Sequence, residues 1–480
     1  MIRQDIIRLS KQTLVYGLGY VAARMINFLL LPFYTHHIAP AEYGVISLVY
    51  AFIAFMNIIY HYGLESAFLR FYSKAGTDEG HEQKDVFSTV LISLLLSSLF
   101  FSLLIILFAP GLSRMLLQAP QYTRILRLSA AILFMDALFL IPLHYLRISN
   151  KAVIFTLITL ANVLINVGLN IYLIRYRGKG IEAVFISNLA ASSFNVLLLI
   201  PVLIKNWNAR FLPGLWKKML LFGLPFIPGG LASMIIELSD RYMLQAFRGL
   251  EEVGLYSAGH KLGIFMMLIV MAFRFAWQPF FLQKHNDPEA PRLFSRILTF
   301  FVFIMSLVFL LVSFYIREIV SLPLMGKTLI ESSYWGGIAV VPYILAAYVF
   351  DGIYLNFHPA IYYSKKTWVI SLVVGIAALI NVTLNLILIP SLGMIAAGIS
   401  SLSAYVFMAG CTYLIVRKWL PVRYEGLKLL LIFVLTLAAC LLYFGLDLTS
   451  PGLRLLIIGA YALMLLPLLF YRKGVRKHGT

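Results

Sequence analysis

Polar residues punctuate this chain in clusters and leave long apolar blocks between them. The blocks fall at approximately 12–34, 43–63, 86–109, 121–144, 151–174, 181–204, 217–237, 253–281, 293–316, 333–357, 366–389, 393–416, 427–446 and 452–471. Each is near the roughly twenty residues that a helix needs to cross a bilayer at about 1.5 Å rise per residue. The pattern predicts an all-α polytopic membrane protein of about 14 transmembrane helices. An even number places both termini on the same side.

A second pattern lies above the first. Leu164-Ile165-Asn166-Val167 with Leu169-Asn170 returns 215 residues later as Leu379-Ile380-Asn381-Val382 with Leu384-Asn385. After a two-residue slip, Gly180, Ala183, Ile186, Ser187, Leu189 and Ala191 answer Gly393, Ala396, Ile399, Ser400, Leu402 and Ala404. Glu42-Tyr43-Gly44 with Ser47 answers Glu252-Val253-Gly254 with Ser257. Six helices separate each equivalent pair, so the repeats insert the same way up, as in transporters built from parallel repeats. The expected organisation is two six-helix bundles, residues 1–208 and 209–420, followed by two additional transmembrane helices and a basic tail in 421–480.

Composition supports lipid as the solvent. Of 480 residues, 61% are hydrophobic and 12% charged, against about half and a quarter in an ordinary soluble domain. The 39 Lys and Arg against 20 Asp and Glu give a net charge of +19. Most of these cations lie in short loops and tails, where they orient the chain rather than form a basic stripe for nucleic acid. With the N-terminus inside, 25 fall on the cytoplasmic side and 9 on the other, so both termini are expected in the cytoplasm. Arg175, Arg177 and Lys179 dissent. The basic Met1–Lys11 precedes an apolar run that lacks a small-residue cleavage site and reads as a retained first helix. Cys411 and Cys440 sit singly in apolar blocks, with no disulfide framework or metal site implied.

The order of several motifs resembles the polysaccharide and oligosaccharide (O-antigen type) flippase branch of the multidrug/oligosaccharidyl-lipid/polysaccharide exporter superfamily. The likeness rests on Leu29-Leu-Leu-Pro32-Phe33-Tyr34 before Glu42-Tyr-Gly44, on Gly63-Leu-Glu65-Ser-Ala67-Phe-Leu-Arg70, and on Gly223-Leu-Pro225 leading to Ser239-Asp240-Arg241-Tyr242-Met243-Leu244. Glu252-Val-Gly254-Leu-Tyr256-Ser257-Ala258 with Lys261-Leu-Gly263 completes it. The resemblance spans roughly residues 10–420. It implies transfer of an isoprenoid pyrophosphate-linked oligosaccharide from the inner to the outer leaflet of a bacterial inner membrane, by alternating access. The implied partners are the lipid-linked saccharide, membrane lipid, a coupling proton or sodium ion, and other polysaccharide-assembly proteins.

Several polar residues interrupt the blocks. Arg24 lies in the middle of the first, where insertion costs about 2.5–3.5 kcal/mol for an arginine. Tyr16, Tyr20, Arg24 and Asn27 follow one helical face, so the stripe is expected to line a hydrated cavity, with Arg24 forking onto phosphate oxygens; a structural ion pair is the other reading. Block eight offers His260, Lys261 and Arg274. On a straight helix, at about 100° per residue, His260 and Arg274 share a face and Lys261 lies about 140° from Arg274. Arg274 is expected to face the cavity; Lys261 either joins it or snorkels. The substrate set is therefore Arg24, Arg274, Lys261, Tyr20 and Asn27.

Asp136 and Asp351, 215 residues apart, are candidates for ion coupling or for structural pairing within their own bundles. Glu237 and Arg241 read as a local i, i+4 pair. Asn162, Asn166 and Asn170, with Asn381 and Asn385 repeating two of them, suggest interhelical hydrogen bonding.

An enzyme reading finds little support. Gly326-Lys327-Thr328 falls short of a phosphate loop because Ser321 stands where the earlier glycine belongs. Gly17-Leu-Gly19 opens no strand-turn-helix unit, and no zincin or nucleophile-elbow motif occurs. No catalytic residue, cofactor or metal is expected. The competing readings are a multidrug cation exporter, which calls for acidic rather than basic cavity residues, and a peptidoglycan-precursor flippase. A membrane glycosyltransferase or polymerase fits poorly with such short loops.

Overall fold

The computed structural model describes residues 21–22, 24–26, 28–75, 82–324, 326–445 and 450–470. The chain is helical almost throughout, as the block pattern requires. In order come α1 (Leu30–Thr35), α2 (Pro40–His61), α3 (Leu64–Lys74), α4 (Gln83–Leu117), α5 (Thr123–Ile148), α6 (Ala152–Arg175), α7 (Glu182–Asn206), α8 (Pro213–Gly223) and α9 (Phe226–Arg248). They are followed by α10 (Leu250–Leu262), α11 (Ile264–Gln283), α12 (Ala290–Ser321), α13 (Val341–Asn356), α14 (His358–Tyr363), α15 (Trp368–Leu392), α16 (Met394–Val416), α17 (Gly426–Gly445) and α18 (Pro451–Phe470). One two-residue hairpin, β1 (Pro323–Leu324) with β2 (Lys327–Thr328), turns at Gly326. The Gly326-Lys327-Thr328 segment is therefore part of a hairpin, and no helix begins directly after it to hold a phosphate.

Among the described residues, eleven helical spans are long and apolar enough to cross a membrane, twelve when α8 and α9, bent by 41°, count as one. Pro451–Pro467 in α18 is a shorter apolar helix. Every block from 43–63 onward thus has its helix, and about half of the 12–34 block lies outside the described residues. The breaks have local causes. Tyr62 and Gly63 are both left-handed, φ 33° and 75°, which ends α2 and restarts the chain as α3. Pro225 cannot supply an amide to continue α8. Block eight is interrupted at Gly263 between α10 and α11.

The sequence repeat is written into the backbone as well. Asn150 and Lys365, 215 residues apart, are both left-handed, φ 57° and 56°. After each the same pair of bonds closes the helix: Lys151 N–H to Leu146 O at 2.9 Å and Asn150 N–H to Arg147 O at 3.2 Å, then Lys366 N–H to Ile361 O at 3.2 Å and Lys365 N–H to Tyr362 O at 3.1 Å. This is the six-to-one and five-to-two closure of a Schellman turn. Gly180 and Gly393 repeat likewise, φ 54° and 56°, each accepting a bond from the residue three ahead. Within α6 and α15, Asn170 donates to Asn166 Oδ1 at 3.0 Å and Asn385 to Asn381 Oδ1 at 3.1 Å.

The chain packs as two compact units. The first comprises the described residues up to Lys261 with Ile330–Gly337 and Val374–Ser400. One of its clusters packs Phe68, Phe87, Tyr145 and Met219, from α3, α4, α5 and α8. The second comprises Leu262–Leu329, Ile338–Val373 and the described residues from Ser401. There Trp277 and Phe281 pack on Phe294, and the Trp277 indole donates to Leu355 O at 3.1 Å. Buried Arg454 of α18 pairs with Glu318 and donates to Phe314 O at 2.8 Å, fastening α18 to α12. Exposed leucines such as Leu157, Leu164, Leu427 and Leu441 give α6 and α17 outer faces that suit hydrocarbon.

Candidate functional site

Within the first unit the polar interruptions of five helices converge. A cavity of about 250 Å³ is lined by Leu30 and Tyr34 of α1, Tyr50 of α2, Asn162, Val163 and Asn166 of α6, Asn188 of α7 and Lys261 of α10. The walls are held by their own hydrogen bonds. Tyr34 Oη donates to Asn170 Oδ1 at 2.9 Å, and Asn170 is in turn anchored to Asn166. Across the cavity Asn188 Nδ2 donates to Tyr50 Oη at 3.3 Å. Lys261 is exposed, and its Nζ lies 5.4 Å from the centroid of the Tyr43 ring. One cation, three amides and two phenols therefore face one space, with no carboxylate among the described residues that line it.

One turn along α7 from Asn188, Ser192 Oγ donates to Asp136 Oδ1 at 2.6 Å. Asp136 is thus held beside the cavity wall by a neutral donor. In the second unit its repeat counterpart Asp351 meets a base: Arg274 Nη2 lies 3.3 Å from Asp351 Oδ2. The Arg274 side chain is 57% exposed and that of Asp351 11%, so more than half of the arginine side chain is open while its partner is enclosed. A candidate substrate arginine and an aspartate that the sequence offered either for ion coupling or for structural pairing within its bundle are in direct contact.

A second polar cluster ties α9 to α2 and α10. Arg241 Nε donates to Ser47 Oγ at 3.1 Å, and its Nη1 donates to the Glu237 carbonyl at 2.7 Å and to Asp240 Oδ1 at 3.2 Å. Tyr256 donates to the other oxygen of the fully buried Asp240. Arg241 thus bonds the Glu237 backbone carbonyl one turn back and pairs in charge with its sequence neighbour Asp240. Gly44 and Gly254 allow the same helices to touch: a Cβ on Gly44 would stand 2.1 Å from Leu250 O, and one on Gly254 1.8 Å from Pro40 O.

Residues 9–285, more than half of the chain, match the polysaccharide biosynthesis protein family. The chain belongs to that family. Among solved structures it resembles the lipid II flippase MurJ in an inward closed conformation, at 17% identity and a TM-score of 0.72, covering 95% of this chain and 99% of that one. It also resembles an inward-facing multidrug resistance MATE family transporter of the MOP superfamily, at 14% identity and a TM-score of 0.67, covering 87% and 98%. A MATE transporter of Vibrio cholerae in its bent form follows at 13% identity, TM-score 0.54, covering 86% and 96%. At these identities the likeness is one of fold. No curated protein matches the sequence significantly.

Set against the expectations for this family member, the described residues place the site unevenly. Lys261 lines the cavity of the first unit, and Arg274 belongs to the second. The angular comparison between them does not apply, since it assumed one straight helix and the chain breaks at Gly263. Arg24 is helical and half-buried; Tyr16, Tyr20 and Asn27 lie outside the described residues. The asparagine stripe divides, with Asn162 and Asn166 on the cavity wall and Asn170 fully buried. Sequence reasoning passed over Tyr34, Tyr50 and Asn188 as lining residues. Their signal was present in a general form, since polar groups within apolar blocks need a polar surrounding.

Proposed function

We propose that this protein flips an isoprenoid pyrophosphate-linked oligosaccharide from the inner to the outer leaflet of the bacterial inner membrane, with both termini in the cytoplasm. Membership of a polysaccharide biosynthesis family and a fold shared with a lipid II flippase support a lipid-linked saccharide as cargo. The observation that carries the reading is the cavity lining. Lys261 offers a mobile ammonium to an anion, and the amides and phenols around it offer the donors and acceptors that sugar hydroxyls need. About 250 Å³ is at the small end of ligand sites. It accommodates a headgroup phosphate with its first sugar rather than an entire oligosaccharide.

The multidrug reading draws on the fold shared with MATE transporters. A cationic drug calls for a carboxylate in the lining, where this cavity presents an ammonium. Asp136 stands just outside and faces a hydroxyl. We assign it to coupling with a proton or sodium ion, because a carboxylate with a neutral partner gains or loses charge without breaking an ion pair.

The test is reconstitution of the full chain in proteoliposomes with a fluorescent isoprenoid pyrophosphate-oligosaccharide, lipid II and a cationic dye as three cargoes. Accessibility to an impermeant quencher reports flipping. The expected result is flipping of the oligosaccharide lipid, reduced at least tenfold by Lys261→Gln. Flipping confined to lipid II assigns the protein to peptidoglycan precursors. Movement of the dye alone overturns the flippase reading.

A further inference from the structure

Another cavity in the first unit has the opposite chemistry to the one just described. It encloses about 520 Å³ where the end of α2, the early turns of α4 and the bend between α8 and α9 meet. Four of its lining side chains carry polar atoms, yet these turn on one another. The Trp216 indole donates to Ser93 Oγ at 2.7 Å, Tyr62 Oη shares a 2.7 Å bond with the same oxygen, and Ser97 Oγ donates to Tyr62 Oη at 3.2 Å. What faces the space is carbon. The bonds also fix the aromatic rings in place, so the slot is preformed.

Its mouth opens sideways. Leu96, Leu224 and Phe211 line the slot and are 60%, 45% and 38% exposed, Leu96 and Leu224 within apolar blocks that the membrane reading gives to hydrocarbon and Phe211 in the loop beside them. Two lining residues, Phe211 and Trp216, have cations as sequence neighbours, Arg210 and Lys217. Lys205, Arg210, Lys217 and Lys218 are all exposed, and Trp207 stands exposed among them. A basic segment with interfacial tryptophans, directly continuous with an apolar slot, is complementary to a molecule with an anionic head and a long apolar chain.

We propose that the slot holds one acyl chain of an anionic phospholipid, whose phosphate rests on the basic segment 205–218, the end of α7, the following loop and the first turns of α8. The bilayer phospholipid is favoured over the transported lipid by the lining itself. The slot shares no residue with the polar cavity and offers a sugar nothing to bond. Because Leu224 and Ile227 line it at the 41° bend of α8 and α9, an occupying chain supports that bend. The assignment stands whether or not the cargo is an oligosaccharide.

Native mass spectrometry of the full chain, titrated with phosphatidylglycerol and with phosphatidylcholine of identical chains, tests it. One phosphatidylglycerol should be retained at least tenfold more strongly than phosphatidylcholine. Lys217→Gln with Lys218→Gln should remove that preference, and Leu96→Trp, at an exposed position, should lower retention of both lipids. A photoreactive phosphatidylglycerol should label peptides carrying Phe101 or Trp216. That labelling also decides the matter if Leu96→Trp fails to fold. Equal retention of the two lipids, or labelling elsewhere, overturns the site. Displacement of the label by an isoprenoid pyrophosphate at lower concentration than by phosphatidylglycerol overturns it too, by giving the slot to the transported lipid.

Discussion

Ser47 and Ser257, which occupy equivalent positions of the repeat 210 residues apart, hydrogen bond to each other at 2.6 Å. Around them the contact is reciprocal. Gly44 lies against Leu250 and Gly254 against Pro40, again at an offset of 210, so a local two-fold axis passes between α2 and α10. Alternating access between parallel repeats requires such a contact to part during transport. With Cys411 and Cys440 replaced, Ser47→Cys with Ser257→Cys should form a disulfide under mild oxidation, since hydroxyls this close bring the two Cβ atoms within reach of a disulfide. Transport should stop on oxidation and return on reduction. Undiminished transport by the cross-linked protein would show that α2 and α10 stay together throughout the cycle.

The same contact predicts a size effect. At Gly44 and Gly254 the added methyl would meet backbone oxygen rather than the end of a flexible side chain, and neither helix can yield without shifting. Gly44→Ala should destabilise the closed contact by about 1–3 kcal/mol, the usual scale of overpacking. Labelling of a cysteine placed at Ser257 should then become faster than in the glycine parent. Unchanged labelling would mean that the contact has slack that the backbone distances do not reveal.

The fold was legible because bilayer thickness leaves so little freedom. Twenty apolar residues in a row have one solution, and offsets of 215 and 213 survive in the sequence because the same left-handed turns at Asn150 and Lys365, and at Gly180 and Gly393, recur in the backbone. The site was legible only as residue types. Lys261 and Arg274 could be named from their cost in lipid, but their mutual angle depended on a break at Gly263 that glycine alone does not announce. Asn162, Asn166 and Asn170 look identical as an i, i+4 stripe. Which of them meets a cavity and which a neighbouring helix is decided by Tyr34, more than 120 residues away in sequence.

That division gives the asparagines different fates. Asn381 is fully buried and accepts bonds from Ser239 at 3.3 Å and from Asn385 at 3.1 Å. Asn381→Ala leaves both donors unsatisfied, at about 1–3 kcal/mol, and should lower the melting temperature in detergent while transport per folded molecule changes little. Asn166→Ala, on the cavity wall, should do the reverse. The opposite ranking would exchange their roles.

The two aspartates should also separate. Asp136 faces Ser192, and Asp351 faces Arg274. If coupling resides at Asp136, Asp136→Asn should leave a folded protein whose transport no longer responds to an imposed proton or sodium gradient. Asp351→Asn should keep that response, and by releasing Arg274 it should tighten binding of a pyrophosphate lipid severalfold. A gradient response lost in Asp351→Asn and kept in Asp136→Asn would move the coupling site to the second unit.

The strongest prediction concerns the cations themselves. Arg24, Lys261 and Arg274 interrupt apolar blocks at a cost that a lipid-facing helix would not retain without return. Lys261 faces the polar cavity, Arg274 has a side chain 57% exposed beside Asp351, and Arg24 lies half-buried in helical chain ahead of α1. A pyrophosphate presents several anionic oxygens, which a guanidinium meets two at a time and an ammonium one at a time. Loss of a hydrogen bond to a charged group amounts to about 1.5–3 kcal/mol, roughly ten- to hundredfold in affinity. Arg24→Ala, Lys261→Ala and Arg274→Ala should each weaken binding of an isoprenoid pyrophosphate on that scale and leave a neutral isoprenoid alcohol unaffected. Arg24→Lys should keep partial transport, since charge survives without the fork, and Arg24→Glu should abolish it. An equal loss for charged and neutral lipids in all three alanine variants would mean that these side chains hold the helices in place, and that the headgroup is recognised by the amides and phenols alone.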